Sequence, residues 1–291
     1  MENKVNTVKH IGKSDFVMMG NIRLRQPLPS QDLEQEDPFI LMHHFGPYAI
    51  SELNNPLDLG PHPHRGFEPV TFLFKGEQLH RDSLGNESIV KAGDVQWTTA
   101  GRGIVHSEGP SKEFVNRGGE VEGIQLWVNL PASKKMMAPN YQHVKKEDFN
   151  VVVSDDNLIT TRIITGILKN IKGKIQTQTS INSYVIEGKK DGKAFLEIEN
   201  NHNAILYLLN GKASVNDSIL KKGSNQLMTF HQDGIGIEIQ IQEDSQFLFL
   251  SGEPINEKVV NWGPYVMNSQ TEILEAMRDY QMGKMGFLPR D

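Results

Sequence analysis

Four side chains of types that bind transition metals occur in the sequence as two pairs, about forty residues apart. His62 and His64 form the first pair, and His106 and Glu108 form the second. In a β-strand, residues i and i+2 point to the same face, so each pair can project into one interior space. Two neighbouring strands would bring three imidazoles and one carboxylate together, a donor set that suits Fe, Zn, Cu or Ni. The pattern predicts a metal site with the ligands His62, His64, His106 and Glu108.

The predicted donor set favours a reactive ion over a purely structural one. Three nitrogens and one oxygen leave up to two positions of an octahedral ion open, as in catalytic or sensing sites. The set is close to the triad of two histidines and one carboxylate in non-haem iron oxygenases. The alternative is that these histidines only form hydrogen bonds in loops, because short motifs also arise by chance. The strand-like context of both pairs favours metal binding.

Charged residues beside the ligands could contribute to the same chemistry. Arg65 and Arg102 could steer an anionic substrate. Pairing with a nearby carboxylate such as Glu68 is the interpretation that we favour. The aromatic residues near the pairs could line a pocket for a flat ligand, but packing in a core is favoured because large apolar side chains are usually buried. These aromatic residues are Phe45, Phe72 and Trp97.

Two further pairs of residues that contain histidine give weaker evidence of a metal site. His80 and Asp82 have the same i, i+2 spacing and could form a second metal pair, although such short pairs recur by chance. His43 and His44 are adjacent, so they point to opposite faces of any strand and cannot both bind one ion from it.

The sequence around these residues predicts short β-strands. Apolar runs such as Pro69–Phe74, Gly123–Leu130 and Ala204–Leu209 end at Gly, Asn or Pro. This rhythm predicts an all-β sandwich or barrel. One helix is predicted near the end of the chain, where Ser269 and Glu272 form a capping box. Three apolar residues at helical spacing follow, which predicts an amphipathic helix that ends near Gly283 and docks on the body: Ile273, Met277 and Tyr280.

The chain also repeats itself. Val70–Gly76 resembles Ile205–Gly211, and Ile89–Asp94 resembles Ile219–Ser224 at a similar offset. One duplication explains both matches and predicts two similar β-domains, at residues 1–135 and 136–291. In the second domain, the histidines are His202, within Asn201–Asn203, and His231, and they form no ligand pairs. We therefore expect metal only in the first domain, with the helix as a tail of the second.

The composition excludes several classes of protein. Cysteine is absent, which removes disulfides, thiolate metal sites and cysteine nucleophiles. The net charge is −6 with no Lys/Arg block, so no direct nucleic-acid partner is expected. The N-terminal residues are polar and no apolar stretch has the length of a membrane span, so the protein is expected to be cytoplasmic, with no membrane partner. The acidic balance favours a monomer.

Pro61–Glu68 and Gln96–Glu108 resemble the two signature blocks of the pirin family, which are bicupins. Other stretches agree in order, so the resemblance runs from about Asp37 to Asn268: Asp37–Phe39, Phe45–Pro47, Gln125–Pro131, Tyr141–Gln142 and Gly263–Asn268. The resemblance implies two cupin β-barrels, with one ion in the first, held by His62, His64, His106 and Glu108. Fe(II) is the expected ion, and Mn, Ni, Co, Cu and Zn are alternatives.

The family resemblance implies two different functions. Some bacterial members resemble quercetin 2,3-dioxygenases, so the first function is oxidoreductase chemistry on a flavonol with O₂, with Glu108 as the catalytic base. The alternative is a non-catalytic, metal-dependent regulator that binds a partner protein. His43 and His44 depart from the family pattern, which often has an acidic residue there. Glu68 occupies a ligand position of the general cupin pattern, but the resemblance assigns that role to Glu108.

Overall fold

The computed structural model describes residues 4–289, and most of its regular structure is β-strand. The strands of the first half are β1 (Val8–Lys13), β2 (Asp15–Met19), β3 (Ile22–Leu28), β4 (Phe39–Ile50), β5 (Leu59–His64), β6 (Phe67–Lys75), β7 (Glu77–Asp82), β8 (Glu87–Lys91), β9 (Val95–Thr99), β10 (Ile104–Gly109), β11 (Gly119–Asn129) and β12 (Asn140–Val144).

The strands of the second half are β13 (Asn150–Val153), β14 (Ile159–Thr165), β15 (Ile167–Leu168), β16 (Ile171–Lys172), β17 (Ile181–Gly188), β18 (Lys193–Glu197), β19 (Asn203–Val215), β20 (Ser218–Lys221), β21 (Asn225–Phe230), β22 (Gly236–Gly252), β23 (Val260–Trp262) and β24 (Tyr265–Met267). The α-helices of the described chain are α1 (Lys112–Arg117) and α2 (Gln270–Gln281), and short 3-10 helices lie at Ala132–Lys134 and Lys146–Asp148. The predicted all-β class is confirmed. No helix within residues 4–289 is long and apolar enough to cross a membrane.

The first half forms two antiparallel sheets. A seven-stranded sheet has the order β12-β9-β6-β11-β4-β3-β2, and a four-stranded sheet has the order β5-β10-β7-β8. Strand β6 is apolar along most of its length because it is buried on both faces, and Val70, Phe72 and Leu73 are at most 1% exposed. This rigid central strand leads directly out of β5, which carries His62 and His64.

The second half repeats the same local arrangement. Its nine-stranded sheet contains the order β21-β19-β22, which matches the order β9-β6-β11 of the first half. The turns correspond as well, because the amide of Ala92 donates to the Gly76 carbonyl and the amide of Lys222 donates to the Gly211 carbonyl. Both glycines have a positive φ, 77° at Gly76 and 88° at Gly211. The predicted duplication into two cupin domains is confirmed.

The two compact units do not follow the predicted division between residues 135 and 136. One unit contains residues 4–15, 26–40 and 148–254, and the other contains residues 16–25, 41–147 and 255–289. Strand β1 pairs with β21, so the N-terminal strand belongs with the second cupin sheet. The C-terminal segment, residues 255–289, clusters with the first. The domain boundary between residues 135 and 136 stays a prediction, and the compact units differ from it at both chain ends. The physical reason is strand pairing across more than 200 residues, which no local pattern reports.

Helix α2 starts as the capping box predicts. Ser269 is the N-cap, and its Oγ accepts a hydrogen bond from the Glu272 amide at 3.3 Å. The Glu272 carboxylate accepts in return from the Ser269 hydroxyl, at 2.9 Å, and from the Asn268 amide, at 3.1 Å. Ile273 and Ala276 are fully buried against Val105, so the helix docks through an apolar face, as expected. The helix ends at Gln281, close to the predicted end.

Candidate metal centre

Three neighbouring strands position the candidate ligands. Strand β10 lies between β5 and β7, antiparallel to both. His106 on β10 is opposite His62 on one side, and Glu108 is opposite His80 on the other side. Alternation along the strands then turns these side chains towards one space. The two i, i+2 pairs therefore lie on neighbouring strands, and strand β7 adds a histidine.

A glycine fixes the turn that follows His64. Gly66 has a φ of 87°, in the left-handed region that favours glycine, and it separates β5 from β6. A Cβ atom at this position would lie 2.0 Å from the Val266 carbonyl oxygen. The close approach of the Val266 backbone therefore requires glycine here, and it sets where β5 ends.

The rings of three predicted ligands converge. The ring centroids are 4.9 Å apart for His62 and His64, 4.4 Å for His62 and His106, and 4.7 Å for His64 and His106. One nitrogen from each ring lies within 4.8 Å of the other two. We call this set of His62, His64 and His106 the histidine trio.

The hydrogen bonding of the trio fits a metal ion. His62 Nδ1 lies 2.8 Å from the Gly60 carbonyl, which leaves Nε2 as the nitrogen available to an ion. Both ring nitrogens of His106 are buried and have no hydrogen-bond partner within residues 4–289, and the ring of His64 is equally buried, beside the Pro264 carbonyl. A buried polar group without a partner costs about 1–3 kcal/mol, so protein interiors rarely leave such groups unmatched. An ion bound by these nitrogens would remove that cost.

Burial keeps these rings neutral. It lowers the pKa of His64 well below its ordinary value, and a positive charge on neighbouring His62 would lower it further. Burial lowers the pKa of His106 in the same direction, with added contributions from His62, His64 and His80. Near pH 7 both rings therefore have a lone pair for a cation, as metal binding requires.

Glu108 is buried beside the trio, and amides orient its carboxylate. Its Oε1 accepts a short hydrogen bond from Gln96 Nε2, and its Oε2 accepts from Gln125 Nε2 at 3.3 Å. Oε2 lies 3.9 Å from His106 Nε2. Two ligands that are each about 2.1 Å from one ion can be this far apart. Within the 4.8 Å limit, however, Glu108 groups with His106 and His80 and not with the complete trio.

His80 is a further potential ligand, to which its spacing with Asp82 gave little weight. Its side chain is completely buried, and its Nε2 lies 3.1 Å from Asp82 Oδ2. The ring stacks on Tyr141, with centroids 4.2 Å apart and planes at 7°. Burial favours a higher pKa for Asp82, but hydrogen bonds from His80 and Asn86 outweigh it and lower the pKa. The i, i+2 spacing of His80 and Asp82 is visible in the sequence. The pairing of β7 with β10 places His80 opposite Glu108, which the spacing alone does not predict.

An apolar pocket adjoins Glu108. The cavity itself has a volume of about 30 Å³ and lies within a depression of about 490 Å³ that includes open solvent. Leu24, Phe45 and Val121 contribute apolar surface, and His43 and Glu108 contribute polar groups. Burial lowers the pKa of His43 to about 4, so His43 is neutral at physiological pH. This combination of apolar walls and few polar groups is typical of small-molecule sites.

The adjacent histidines His43 and His44 diverge, as their adjacency predicts. His43 lines the pocket, whereas His44 Nε2 lies 3.2 Å from Glu122 Oε1. Neither belongs to a cluster of potential ligands within residues 4–289. Trp97 and Phe72 are fully buried core residues, as we favoured, and Phe45 is half-buried at the pocket.

The favoured pairing of a flanking arginine with a carboxylate is found for Arg65, but the carboxylate is that of Asp279 and not the example residue Glu68. Arg65 Nη1 lies 3.1 Å from Asp279 Oδ2, and its Nε donates to the Arg102 carbonyl at 2.6 Å. Glu68 instead accepts from Thr99 Oγ1 at 2.6 Å. Arg65 forms an isolated bridge with Tyr265, which brings its side chain to helix α2 and its carboxylate. Arg102 has an exposed side chain.

The second cupin domain provides no matching ligands in the described part of the chain. His202 is buried with its two ring nitrogens 3.2 Å and 3.1 Å from the hydroxyls of Ser251 and Ser180. His231 is exposed. The groups of three potential ligands found within residues 4–289 all lie in the first domain, around His106. Metal binding in the first domain alone stays a prediction.

Comparison with known proteins identifies the family. The family model described as Pirin matches residues 21–128, and the model described as Pirin C-terminal cupin domain matches residues 184–286. A Pseudomonas aeruginosa protein with the provisional name quercetin 2,3-dioxygenase is 36% identical over 247 residues, which cover 85% of this chain and 86% of that protein. A tomato (Solanum lycopersicum) pirin-like protein is 34% identical over 266 residues, covering 91% and 87%.

Solved structures agree with this fold. A quercetin 2,3-dioxygenase from Acinetobacter baumannii superposes with a TM-score of 0.88 at 33% identity, and the match covers 97% of this chain and 99% of that one. A bacterial pirin from Escherichia coli in complex with nickel(II) has a TM-score of 0.67 at 18% identity, covering 84% and 99%, and shows the shared fold alone. The chain is a bicupin and a member of the pirin family.

Proposed function

We propose that this chain is a metal-dependent dioxygenase that opens the ring of a flavonol such as quercetin with O₂. His62, His64, His106 and Glu108 would hold one divalent transition metal ion, for which Fe(II) is our first choice. The observation that carries the proposal is the set of buried ring nitrogens of His64 and His106, those of His106 without a partner in residues 4–289, beside the carboxylate of Glu108. Mn, Ni, Co, Cu and Zn are the alternative ions that a loading experiment must include.

The ion, when bound, would supply Lewis acidity towards the enolic oxygen of the flavonol and electron exchange with O₂. The remaining work falls to residues of the chain. Glu108 lines the apolar pocket, where it can accept the proton of the flavonol hydroxyl as a general base. The amides of Gln96 and Gln125 hold the carboxylate in position for that transfer. The apolar walls would contact a flat aromatic ring whose hydroxyl reaches Glu108.

The named relatives support the same chemistry. The Pseudomonas relative and the Acinetobacter structure both carry a quercetin 2,3-dioxygenase name, at 36% and 33% identity. At this identity the fold is shared, but the substrate has to be tested directly.

A second candidate function follows from the second cupin domain. Within the described residues that domain presents surface without a cluster of potential ligands, because His202 is engaged by serine hydroxyls. A regulator that binds a partner protein needs an exposed surface and one metal ion whose binding or charge can change. The predicted cytoplasmic location and monomeric state fit either function and stay predictions.

Oxygen consumption tests the proposed activity. Protein freed of metal is loaded anaerobically with each candidate ion, and O₂ uptake and CO release are then measured with quercetin. We expect turnover with at least one ion, and its loss in His62→Ala. His231→Ala is the matched control, because it removes an exposed histidine from the other domain. Absence of turnover with every ion, together with metal-dependent capture of a partner protein, would support the regulator instead.

A further inference from the structure

The metal centre contains a second group of potential ligands that overlaps the histidine trio. His80, His106 and Glu108 each offer one ligand atom, and these atoms lie within 4.8 Å of one another. We propose that His80 is a metal ligand and that His80, His106 and Glu108, called here the carboxylate trio, form an alternative position for the ion. This inference rests on the proposed function, since it assumes that an ion binds at His106 at all.

His80 has the features of a histidine that is prepared to bind metal. Its side chain is completely buried, and its Nδ1 has no hydrogen-bond partner within residues 4–289. Its Nε2 is 3.1 Å from Asp82 Oδ2. Histidines that bind metals almost always use the second ring nitrogen for a carboxylate or carbonyl, which fixes the ring and its tautomer. His62 has the equivalent contact with the Gly60 carbonyl.

The support for His80 extends to the residues around Asp82. Asp82 Oδ1 accepts from the amides of Leu84 and Asn86 at 2.8 Å and 3.1 Å, and its Oδ2 accepts from Asn86 Nδ2 at 2.9 Å. Stacking on Tyr141 holds the face of the imidazole ring. The ring is therefore oriented before any ion arrives, as a functional ligand requires.

The two positions differ in chemistry. The histidine trio offers three nitrogens, whereas the carboxylate trio offers two nitrogens and one oxygen. Imidazole suits Cu and Ni, and carboxylate suits Mn, so different ions favour different positions. His106 belongs to both groups, and the 3.9 Å between its Nε2 and Glu108 Oε2 already suits one shared ion. One ion is therefore held at a time, nearer His80 for Mn(II) and nearer the histidine trio for Cu(II) or Ni(II).

Metal affinities separate the two positions. Mn(II) and Ni(II) binding are measured by calorimetric titration for the wild type, His80→Gln and His62→Gln, with His231→Gln as the control for an exposed histidine. Glutamine at position 80 keeps a donor for Asp82 but has no imidazole. We expect His80→Gln to weaken Mn(II) binding by about 10–100-fold and Ni(II) binding much less, and His62→Gln to reverse this order. Equal losses for both ions in His80→Gln, or no loss, would overturn the inference.

A measurement on the unaltered protein covers the case in which His80→Gln fails to fold. Pulsed electron paramagnetic resonance counts the imidazoles that bind Mn(II) or Cu(II) through their remote nitrogens. The carboxylate trio predicts two imidazoles with Mn(II), and the histidine trio predicts three with Cu(II). The same three with both ions would contradict the alternative position and leave the proposed function standing. A wild type that binds none of the candidate ions, Fe(II) included, would instead contradict the proposed function.

Discussion

The guanidinium of Arg65 lies 3.1 Å from the carboxylate of Asp279, so the residue directly after His64 is tied to helix α2. The side chains of Arg65 and Asp279 are 4% and 14% exposed. Tyr265 bridges to the Arg65 backbone, and the Val266 amide donates to its carbonyl at 3.0 Å. The C-terminal segment therefore supports the end of β5, from which the first two candidate ligands project.

Removal of Asp279 is expected to destabilise the protein. Asp279→Ala leaves the buried Arg65 guanidinium without its carboxylate, and the expected cost is about 1–3 kcal/mol because Asp279 is partly exposed and Arg65 keeps its hydrogen bond to the Arg102 carbonyl. Denaturant unfolding monitored by tryptophan fluorescence measures the change. The matched control is Lys284→Ala, which removes an exposed partner of the same carboxylate at 2.8 Å and should cost less than about 1 kcal/mol. Equal stability of the two variants would show that the Arg65 contact contributes little.

Gly66→Ala is expected to be far more damaging than Gly85→Ala. Both glycines have φ near 90°, 87° and 90°, so both substitutions carry the backbone strain of about 1–2 kcal/mol. At Gly66 the new Cβ would also meet the Val266 carbonyl at 2.0 Å, whereas at Gly85 nothing lies within 4 Å. The difference in melting temperature between the two variants measures the cost of the steric clash with the Val266 carbonyl. Similar melting temperatures would mean that the Val266 backbone moves away without cost.

Lys135 gives the stability a distinctive dependence on pH. Its ammonium group is buried and donates to the Gly66 carbonyl, the Val266 carbonyl and Asn129 Oδ1. Burial lowers the pKa of Lys135 to about 8, from its ordinary 10.5. Between these values the unfolded chain holds a proton that the folded chain has released, so this group makes the free energy of unfolding rise with pH.

The comparison that tests Lys135 is with Lys135→Met, across pH 7.5 to about 10, where lysines of ordinary pKa in an unfolded chain are still mainly protonated. The free energy of unfolding of the wild type should increase relative to the variant through this window, by up to about 3 kcal/mol. Below about pH 7 the difference should be constant, because the lysine is charged in both states. Parallel curves through the whole range would exclude a lowered pKa in the folded protein.

Glu108→Gln is expected to abolish most of the proposed turnover. The amide cannot accept the flavonol proton, and it presents an NH₂ group to donors on Gln96 or Gln125. Loss of a general base typically lowers kcat by about 100-fold or more. Turnover is measured at saturating metal so that weaker metal binding does not enter. Glu68→Gln, which alters a buried carboxylate held by Thr99, serves as control and should retain turnover.

The sequence predicts features that follow from local rules, but it does not predict contacts between residues that are far apart along the chain. Alternation along a strand is a local rule, so it predicts that His62 and His64, or His106 and Glu108, share a face. The register that places His80 opposite Glu108 joins separate strands, and residue spacing alone does not contain it. The partner of Arg65 was missed for the same reason, because Asp279 is 214 residues away. The duplication could be predicted because the two repeats keep similar local sequences that end at the turns of Gly76 and Gly211.

The exchange of chain ends between the two cupin units limits how this protein can be divided. A fragment that stops at residue 135 would lack α2 and would expose Val105 to water, where Ile273 and Ala276 now cover it. A fragment that starts at residue 136 would lack β1 and leave β21 as a bare edge, a known route to aggregation. Neither half is therefore expected to fold alone, because each lacks an element that the other half of the chain supplies.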